Sequence, residues 1–372
     1  EEGIAEIIDY MPVGSEAAKP AIVRRVTSIR GNIRYEMICS PRFDYAKGKH
    51  SIKKSGHSFL FVPEHDQLES LRLCGSTSLM AKKADVSSEF ILKEGETAGF
   101  VLCSGQHDLS GSEETDVYVQ QTYQETIRFW QTWIARSNYK GRWQESVNRS
   151  ALTLKLLISH AYGSMVAAPT FSLPESVGHG RNWDYRFTWI RDAAFSMHAF
   201  LQLGFIEEAE AFLNWIKKQS TEKTLQLMFT IDGDSRLDER TLDYLEGYKG
   251  SKPVRIGNRA SSQTQMDIYG ELLETVYIYA THGGDLTYNY WQIISGYVKL
   301  VINNWQKPDH SIWEVRALKR EFLFSRMMCW IALDRAIKIA GMFSFPYDIL
   351  KWHKVRDEIF TDVRENFWSE ER

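Results

Sequence analysis

The sequence predicts a fold in two parts, an antiparallel β region followed by a longer all-helical region. Two observations support this. Apolar residues alternate with a period of two up to about residue 103 and afterwards recur at the spacing of an amphipathic helix, about 3.6 residues. The intervening segment 104–115 is rich in Ser, Gly, Asp and Glu and has no apolar period, which is typical of a boundary loop. A chain of 372 residues is long enough for two or three domains.

The β region is predicted from strict alternation and from its turns. Ile33, Tyr35 and Met37 alternate with Arg34 and Glu36, the pattern of a strand with one buried face. Short apolar bursts bounded by turn residues follow at 59–62 and 90–92. We therefore expect an antiparallel β-sandwich-like domain over residues 1–110.

The helical region is predicted from eight apolar stripes. The first stripe, Tyr123, Ile127, Trp130 and Ile134, indicates a linker helix within residues 111–140. Seven more stripes begin at residues 147, 189, 209, 269, 291, 328 and 352. They predict an all-helical domain over 141–372, and helices at this spacing suit a toroid of helical hairpins.

Two segments between these stripes are long enough to be functional loops. They span 167–186 and 225–258 and are rich in Gly, Pro, aromatic and charged residues. Long loops in compact domains usually carry function because a rigid scaffold positions them. We expect the chemistry to lie there.

Composition excludes several functions. The net charge of -3 leaves no basic field for nucleic acid, and no apolar run approaches the roughly 20 residues that cross a membrane. The four cysteines lack metal-ligand spacing, so neither a metal nor another cofactor is expected. No signal peptide is visible, which favours a cytoplasmic protein. The 12 Trp, 17 Tyr and 19 Phe suit either a large core or the flat faces of sugars.

Four short motifs combine aromatic or glycine residues with charge: RNWDYR at 181–186, WIRD at 189–192, PVRIGN at 253–258 and WEVR at 313–316. Arg191 and Asp192 place a fork of donors beside an acceptor, which suits vicinal sugar hydroxyls, although a buried ion pair fits equally well. Glu314 follows Trp313, and an apolar neighbour can keep a carboxylic acid protonated. The alternative is that Glu314 is an ordinary surface glutamate without a catalytic role.

These motifs resemble the bacterial and archaeal branch of glycoside hydrolase family 15, the glucoamylases and related trehalases. The likeness includes AAPT at 167–170, SLPE at 172–175 and GYKGSKPVRIGN at 247–258, in the same order as in that family. It extends over essentially the whole chain. The resemblance implies an (α/α)6 barrel after the β domain, with an inverting hydrolysis at its mouth that releases glucose from a non-reducing end.

The resemblance also assigns residues. Glu314 matches the general acid, and Arg191 and Asp192 match the residues that bind the hydroxyls of the terminal glucose. Tyr185, Trp189 and Trp313 are expected around that sugar, and Arg255 lies in a loop expected to face the substrate. Inversion needs a second carboxylate that activates water, and the family's base lies near the end of the barrel. Seven stripes are fewer than its twelve helices, so we expect a truncated barrel whose catalytic base lies outside this chain.

The first functional hypothesis is a glucoamylase-like enzyme acting on α-glucans or maltooligosaccharides. A trehalase is the close alternative, because both subgroups share every motif above. An inverting phosphorylase is a different class that would need phosphate as the attacking group. A carbohydrate-binding or inactive fragment without the base remains the non-enzymatic alternative. The sequence leaves the oligomeric state open.

Overall fold

A computed structural model describes residues 3–14, 20–65, 67–107, 109, 111–219, 225–316 and 318–369. The chain divides into two compact units, residues 1–135 and residues 136–372. The first unit holds the strands that the period-two alternation predicts, and the second holds helices joined by long loops. The order of antiparallel β followed by α is therefore confirmed.

The first unit is built from nine strands and one α-helix in its described part, besides a short 3-10 helix (Phe43–Ala46). They are β1 (Ile4–Tyr10), β2 (Ala21–Arg30), β3 (Ile33–Cys39), β4 (His50–Ser55), β5 (Ser58–Pro63), β6 (Leu71–Gly75), β7 (Met80–Lys82), β8 (Asp85–Leu92), β9 (Thr97–Ser104) and α1 (Ser112–Ala135). The strands form a six-stranded sheet in the order β1-β2-β9-β6-β5-β4 and a three-stranded sheet in the order β3-β8-β7. All of these pairs are antiparallel.

The two sheets share one hydrophobic core. Val26, Phe61 and Phe100 come from the larger sheet, and Met37 and Val86 from the smaller one, and all five are buried in a single cluster. Because side chains alternate between the faces of a strand, each sheet sends one apolar set inward. The result is a β-sandwich.

Helix α1 covers the other face of the larger sheet. Val119 of α1 packs with Val23 and Val101, and a Cβ added at Gly99 would lie only 2.7 Å from Val119, so the helix approaches the backbone of β9 closely. The sequence analysis separated residues 111–140 as a linker. The structure instead groups α1 with the strands, because its buried face is part of their core.

The buried face of α1 differs from the predicted stripe. Its buried residues are Thr115, Val119, Thr122, Thr126 and Trp133, whereas the predicted stripe is only partly buried. The hydroxyls of the first and third donate to main-chain carbonyls one turn earlier, so these threonines are buried without an unpaired donor.

The second unit contains seven α-helices in its described part, one for each predicted stripe. They are α2 (Gln144–Leu156), α3 (Ile190–Gln202), α4 (Ile206–Gln219), α5 (Asp267–Thr281), α6 (Tyr288–Asn304), α7 (Leu323–Phe343) and α8 (Ile349–Asn366). Helix α2 ends earlier than predicted, since Ile158 lies beyond it and bridges to Met165 instead. No helix in the described part of the chain combines the length and the apolar character that crossing a membrane requires.

Helices α3, α5 and α7 form an inner row. Helix α5 lies between the other two, while α4, α6 and α8 pack on the outside. Helix α5 is buried on nearly all sides, as expected for an inner helix. A Cβ at Gly270 would lie 2.3 Å from the carbonyl oxygen of Met328, so α5 and α7 are in close backbone contact. Paired inner and outer helices are the arrangement that an (α/α)6 barrel repeats.

Short strands interrupt the loops of the second unit. They are β10 (Phe171–Pro174), β11 (Asn182–Asp184), β12 (Thr188–Trp189), β13 (Met228–Phe229), β14 (Arg240–Thr241) and β15 (Arg255–Ile256). They pair as three antiparallel two-stranded sheets. These strands were not predicted from the sequence because two to four residues are too few to show an alternation.

Candidate active site

A cavity of about 580 Å³ opens where the inner helices begin. Its lining includes six of the seven residues that the sequence analysis assigned to catalysis or substrate binding: Tyr185, Trp189, Arg191, Asp192, Trp313 and Glu314. The long loop 167–186 supplies part of the wall. The structure thus brings together residues that are far apart in the chain.

The start of α3 positions three of these residues. Strand β12 pairs with β13 and ends at Trp189, and α3 begins at the next residue. Trp189 is buried, while Arg191 and Asp192 occupy the first helical turn. Strand β12 and the first turn of α3 fix the backbone of these three residues, so their side chains enter the cavity from a rigid scaffold.

The loop that carries Glu314 is tied to the starts of α5 and α7. The buried Asp309 accepts hydrogen bonds from the main chain of Met266 at 2.8 Å and from the hydroxyl of Ser325 at 2.8 Å. Gln263 donates to the carbonyl of Glu314 at 3.2 Å. Glu314 itself adopts a left-handed backbone with φ of 49°, a strained conformation that surrounding contacts must hold and that clusters at functional sites.

The carboxylate of Glu314 contacts two donors of the cavity wall. Its Oε1 accepts hydrogen bonds from Trp189 Nε1 and from Arg191 Nη2, each at 2.8 Å. The sequence analysis expected Trp313 to be the apolar neighbour, but Trp313 is 78% exposed at the rim. The neighbours that surround Glu314 therefore come from another part of the chain.

Arg191 connects the carboxylates of the site. Its Nη1 donates to Gln265 Oε1 at 2.7 Å and lies 3.7 Å from Asp267 Oδ2, and its Nε lies 3.8 Å from Asp192 Oδ2. One guanidinium thus faces Glu314, Asp192 and Asp267. Desolvation by burial raises the pKa of Asp192; Arg191 opposes this rise and Glu314 adds to it.

A second wall of the cavity combines aromatic and cationic groups. The guanidinium of Arg316 stacks over the ring of Trp183 at 4.1 Å from its centroid, and both residues line the cavity. Arg316 Nη2 also pairs with Glu239 at 2.8 Å. Desolvation would raise the pKa of Glu239, but its hydrogen bonds to Arg316 and to the main chain of Arg259 outweigh this and lower it. Charge and stacking together fix this wall.

Arg255 lies behind that wall instead of at the cavity surface. Its guanidinium stacks over Trp183 at 4.8 Å, its Nη1 donates to the carbonyl of Gly180 at 2.7 Å, and its Nε lies 3.6 Å from Glu239. This differs from the expectation that Arg255 faces the substrate. Its three partners turn the side chain toward the supporting layer of the wall.

Several residues of the site were not predicted from the sequence. Gln263, Gln265, Asp267 and Glu271 surround or underlie Arg191, but they belong to none of the four motifs. Two of them left a signal in the sequence: Asp267 and Glu271 are acidic residues one turn apart in a mostly apolar helix, and buried acidic residues need a partner or a proton. The described residues contain no group of His, Cys, Asp or Glu arranged to hold a metal ion.

A family model described as glycosyl hydrolases family 15 matches residues 141–372. This range covers more than half of the chain and contains the whole cavity. The chain belongs to glycosyl hydrolases family 15. The resemblance drawn from the motifs is therefore confirmed, and so is the expected class of fold.

Relatives in family 15 carry a more specific name. A protein named trehalase from Thermoplasma volcanium is 35% identical over 366 residues, which are 97% of this chain and 58% of that protein. A trehalase from Mycobacterium tuberculosis is 33% identical over 360 residues, 94% of this chain and 52% of that protein. This chain thus spans between half and three fifths of the length of these curated relatives.

A solved structure is also similar. A glycosidase variant in complex with glucose has a TM-score of 0.46 at 20% identity, covering 64% of this chain and 59% of that one.

Proposed function

We propose that this chain carries the sugar-binding residues and the general acid of a glycoside hydrolase that cleaves α,α-trehalose. The observation that carries the proposal is the meeting of Glu314 with Trp189 and Arg191 in one cavity. Membership of family 15 supports the reaction class. The relatives named trehalase favour trehalose, the alternative in the sequence analysis, over the glucoamylase-like reading.

In the proposed reaction Glu314 protonates the glycosidic oxygen as the bond to the anomeric carbon breaks. Arg191 and Asp192 bind hydroxyls of the glucose that keeps this carbon, the first as donor and the second as acceptor. The ring of the buried Trp189 would lie beside the same sugar. Because Arg191 donates a hydrogen bond to Glu314, hydroxyls of a bound sugar would take over part of that contact and leave Glu314 available to the glycosidic oxygen.

The second sugar would occupy the wall of Trp183 and Arg316. An aromatic face suits the apolar face of a pyranose, and a guanidinium beside it suits its hydroxyls. Glu175 and Arg181 line the same cavity. A volume of about 580 Å³ is in the range of small-molecule sites and favours a short substrate such as a disaccharide.

Water must attack from the other face of the sugar, and this requires a carboxylate base. The resemblance to family 15 puts that base near the end of the barrel, and this chain spans only 58% and 52% of the length of the two trehalases described above. Hydrolysis is therefore assayed with the full-length protein. Its residues are given the numbers used here.

The test is release of glucose by the full-length protein from trehalose and from maltose and maltotriose. Our proposal expects kcat/KM to be highest for trehalose, and activity without added phosphate. Preference for the maltooligosaccharides would favour the glucoamylase-like function instead. A requirement for phosphate with release of glucose 1-phosphate would point to a phosphorylase, and binding without turnover would overturn the enzymatic proposal.

A further inference from the structure

Helix α5 carries two buried carboxyl groups below the floor of the cavity. Asp267 is fully buried and Glu271, one turn later, is 3% exposed. None of their four carboxyl oxygens has a hydrogen-bond partner in the structure. Buried carboxylates without hydrogen bonds are strongly unfavourable, so the presence of two of them in a mostly apolar inner helix calls for a functional explanation.

Asp267 is linked to the catalytic site through Arg191. Arg191 Nη1 lies 3.7 Å from Asp267 Oδ2, while Nη2 of the same guanidinium lies 2.8 Å from Glu314 Oε1. The cation is therefore shared between a buried carboxylate behind it and the proposed general acid in front of it. A change of charge at Asp267 alters how strongly Arg191 attracts Glu314.

The charged and titratable groups around the pair come from three neighbouring elements. Those with an electrostatic interaction with the pair are Arg191 and Asp192 of α3, Asp309 of the loop before α7, and Cys329 of α7. Only one of these is a cation, and it also serves Glu314. A proton on one carboxyl group of the buried pair reduces this excess of negative charge.

The environments of the two carboxyl groups indicate which one holds that proton. Desolvation, reinforced by Asp267, raises the pKa of Glu271 to about 9, and desolvation raises the pKa of Asp267 to about 6 although Arg191 opposes it. At neutral pH Glu271 is therefore neutral and Asp267 is mostly ionised. The buried negative charge that faces Arg191 is therefore on Asp267 and not on Glu271.

We propose that Asp267 is a positioning residue that holds Arg191 from behind, and that a neutral Glu271 beneath it lets Asp267 keep its charge. By sharing Arg191, Asp267 weakens the attraction between the guanidinium and Glu314. A general acid must be protonated to donate its proton, and a cation that is drawn away from a carboxyl group disfavours the protonated form less. This inference rests on the proposed role of Glu314 as the acid.

The first experiment compares pH profiles of kcat/KM for trehalose in the full-length protein. In Asp267→Asn the guanidinium of Arg191 loses its buried counter-charge, so it attracts the carboxylate of Glu314 more strongly, which disfavours the protonated acid that the reaction needs. We expect the alkaline limb of the profile to move to lower pH by about 0.5 to 1 unit. Asp267→Glu restores the charge and is expected to move the limb back toward the parent.

Two controls separate this effect from general damage. Glu271→Gln replaces a neutral acid by a neutral amide, so the alkaline limb is expected to stay close to that of the parent. Glu274→Gln removes a carboxylate from the same helix where it pairs with Arg335 and is expected to leave the limb unchanged. An unshifted limb in Asp267→Asn, or an equal shift in Glu271→Gln, overturns the proposal.

A second measurement needs neither turnover nor the Asp267 variant. Infrared spectra of the parent at pH 7 to 8 are expected to contain the carbonyl band of a protonated carboxylic acid, which disappears in Glu271→Gln. Absence of such a band overturns the proposal even if Asp267→Asn fails to fold. If the full-length protein cleaves no sugar, the proposed function fails, while the band still reports whether Glu271 holds the proton.

Discussion

Glu314 Oε1 lies 2.8 Å from Arg191 Nη2, although 123 positions separate the two residues in the chain. One residue lies in the first turn of α3 and the other in the loop before α7. They meet because α3, α5 and α7 begin at the same end of the inner row. Asp309 supports this arrangement by bonding to residues at the starts of both α5 and α7.

Glu314→Gln in the full-length protein is expected to lower kcat for trehalose by about 10²- to 10⁴-fold, the usual scale of general acid catalysis. The amide keeps the shape of the side chain but has no acidic proton to give. Little change is expected in the melting temperature. The matched control is Glu365→Gln, an exposed site on α8, and parent-like activity in Glu314→Gln would refute the assignment.

Asp192→Asn is expected to weaken glucose binding by about tenfold and to lower turnover as well, because a charged acceptor for sugar hydroxyls is lost. Quenching of the tryptophans that line the cavity measures binding without catalysis. Asp357→Asn, an exposed position on α8, serves as the control. If affinity for glucose stays at the parent value, Asp192 does not contact the bound sugar.

Arg316→Ala is expected to raise KM for trehalose more than it lowers kcat, since it removes the stacking partner of Trp183 from the proposed site of the second sugar. Cleavage of an aryl glucoside, which has no second sugar, is expected to change less. Arg236→Ala removes an exposed arginine that pairs with Asp234 and provides the control. Equal effects on both substrates would argue against a second-sugar site at this wall.

In Glu271→Gln the free energy of unfolding, relative to that of the parent, is expected to increase as the pH rises. The pKa of Glu271 is about 9 when folded, against 4.5 for the unperturbed side chain. Between these values the folded protein binds a proton that the unfolded chain has lost, so raising the pH favours unfolding of the parent. Urea unfolding at pH 5, 7 and 9 measures the difference, and a gap that is constant over this range would contradict the burial effect.

Gly270→Ala is expected to destabilise the helical unit by about 1–3 kcal/mol through overpacking, because the new Cβ would press on the carbonyl of Met328. Gly296→Ala on α6 is the matched control. Its Cβ would meet nothing within 4 Å, so better helix propensity is expected to stabilise by about 0.5–1 kcal/mol. Chemical denaturation of the two variants compares these effects, and equal changes would show that α5 and α7 can separate without loss.

The four motifs predicted the centre of the site well because its chemistry lies in short contiguous stretches. Two adjacent residues, Arg191 and Asp192, already suggested a polyhydroxylated ligand. The supporting layer was harder to predict. Arg255 stands in a motif just as Arg191 does, yet its partners Gly180 and Glu239 hold it behind Trp183, and no spacing in the chain carries that information.

By itself the sequence determined the order of the two regions and the number of helices in the second, because local periodicity reports which face of a segment is buried. Only the tertiary structure decided which neighbours each buried face meets. The threonine face of α1 became buried because a sheet lies against it and because local carbonyls accept hydrogen bonds from the hydroxyls of Thr115 and Thr122. Asp267 and Glu271 became part of the site because α5 is enclosed by α3 and α7 beside a shared guanidinium, and charge interactions depend on distance through space and not along the chain.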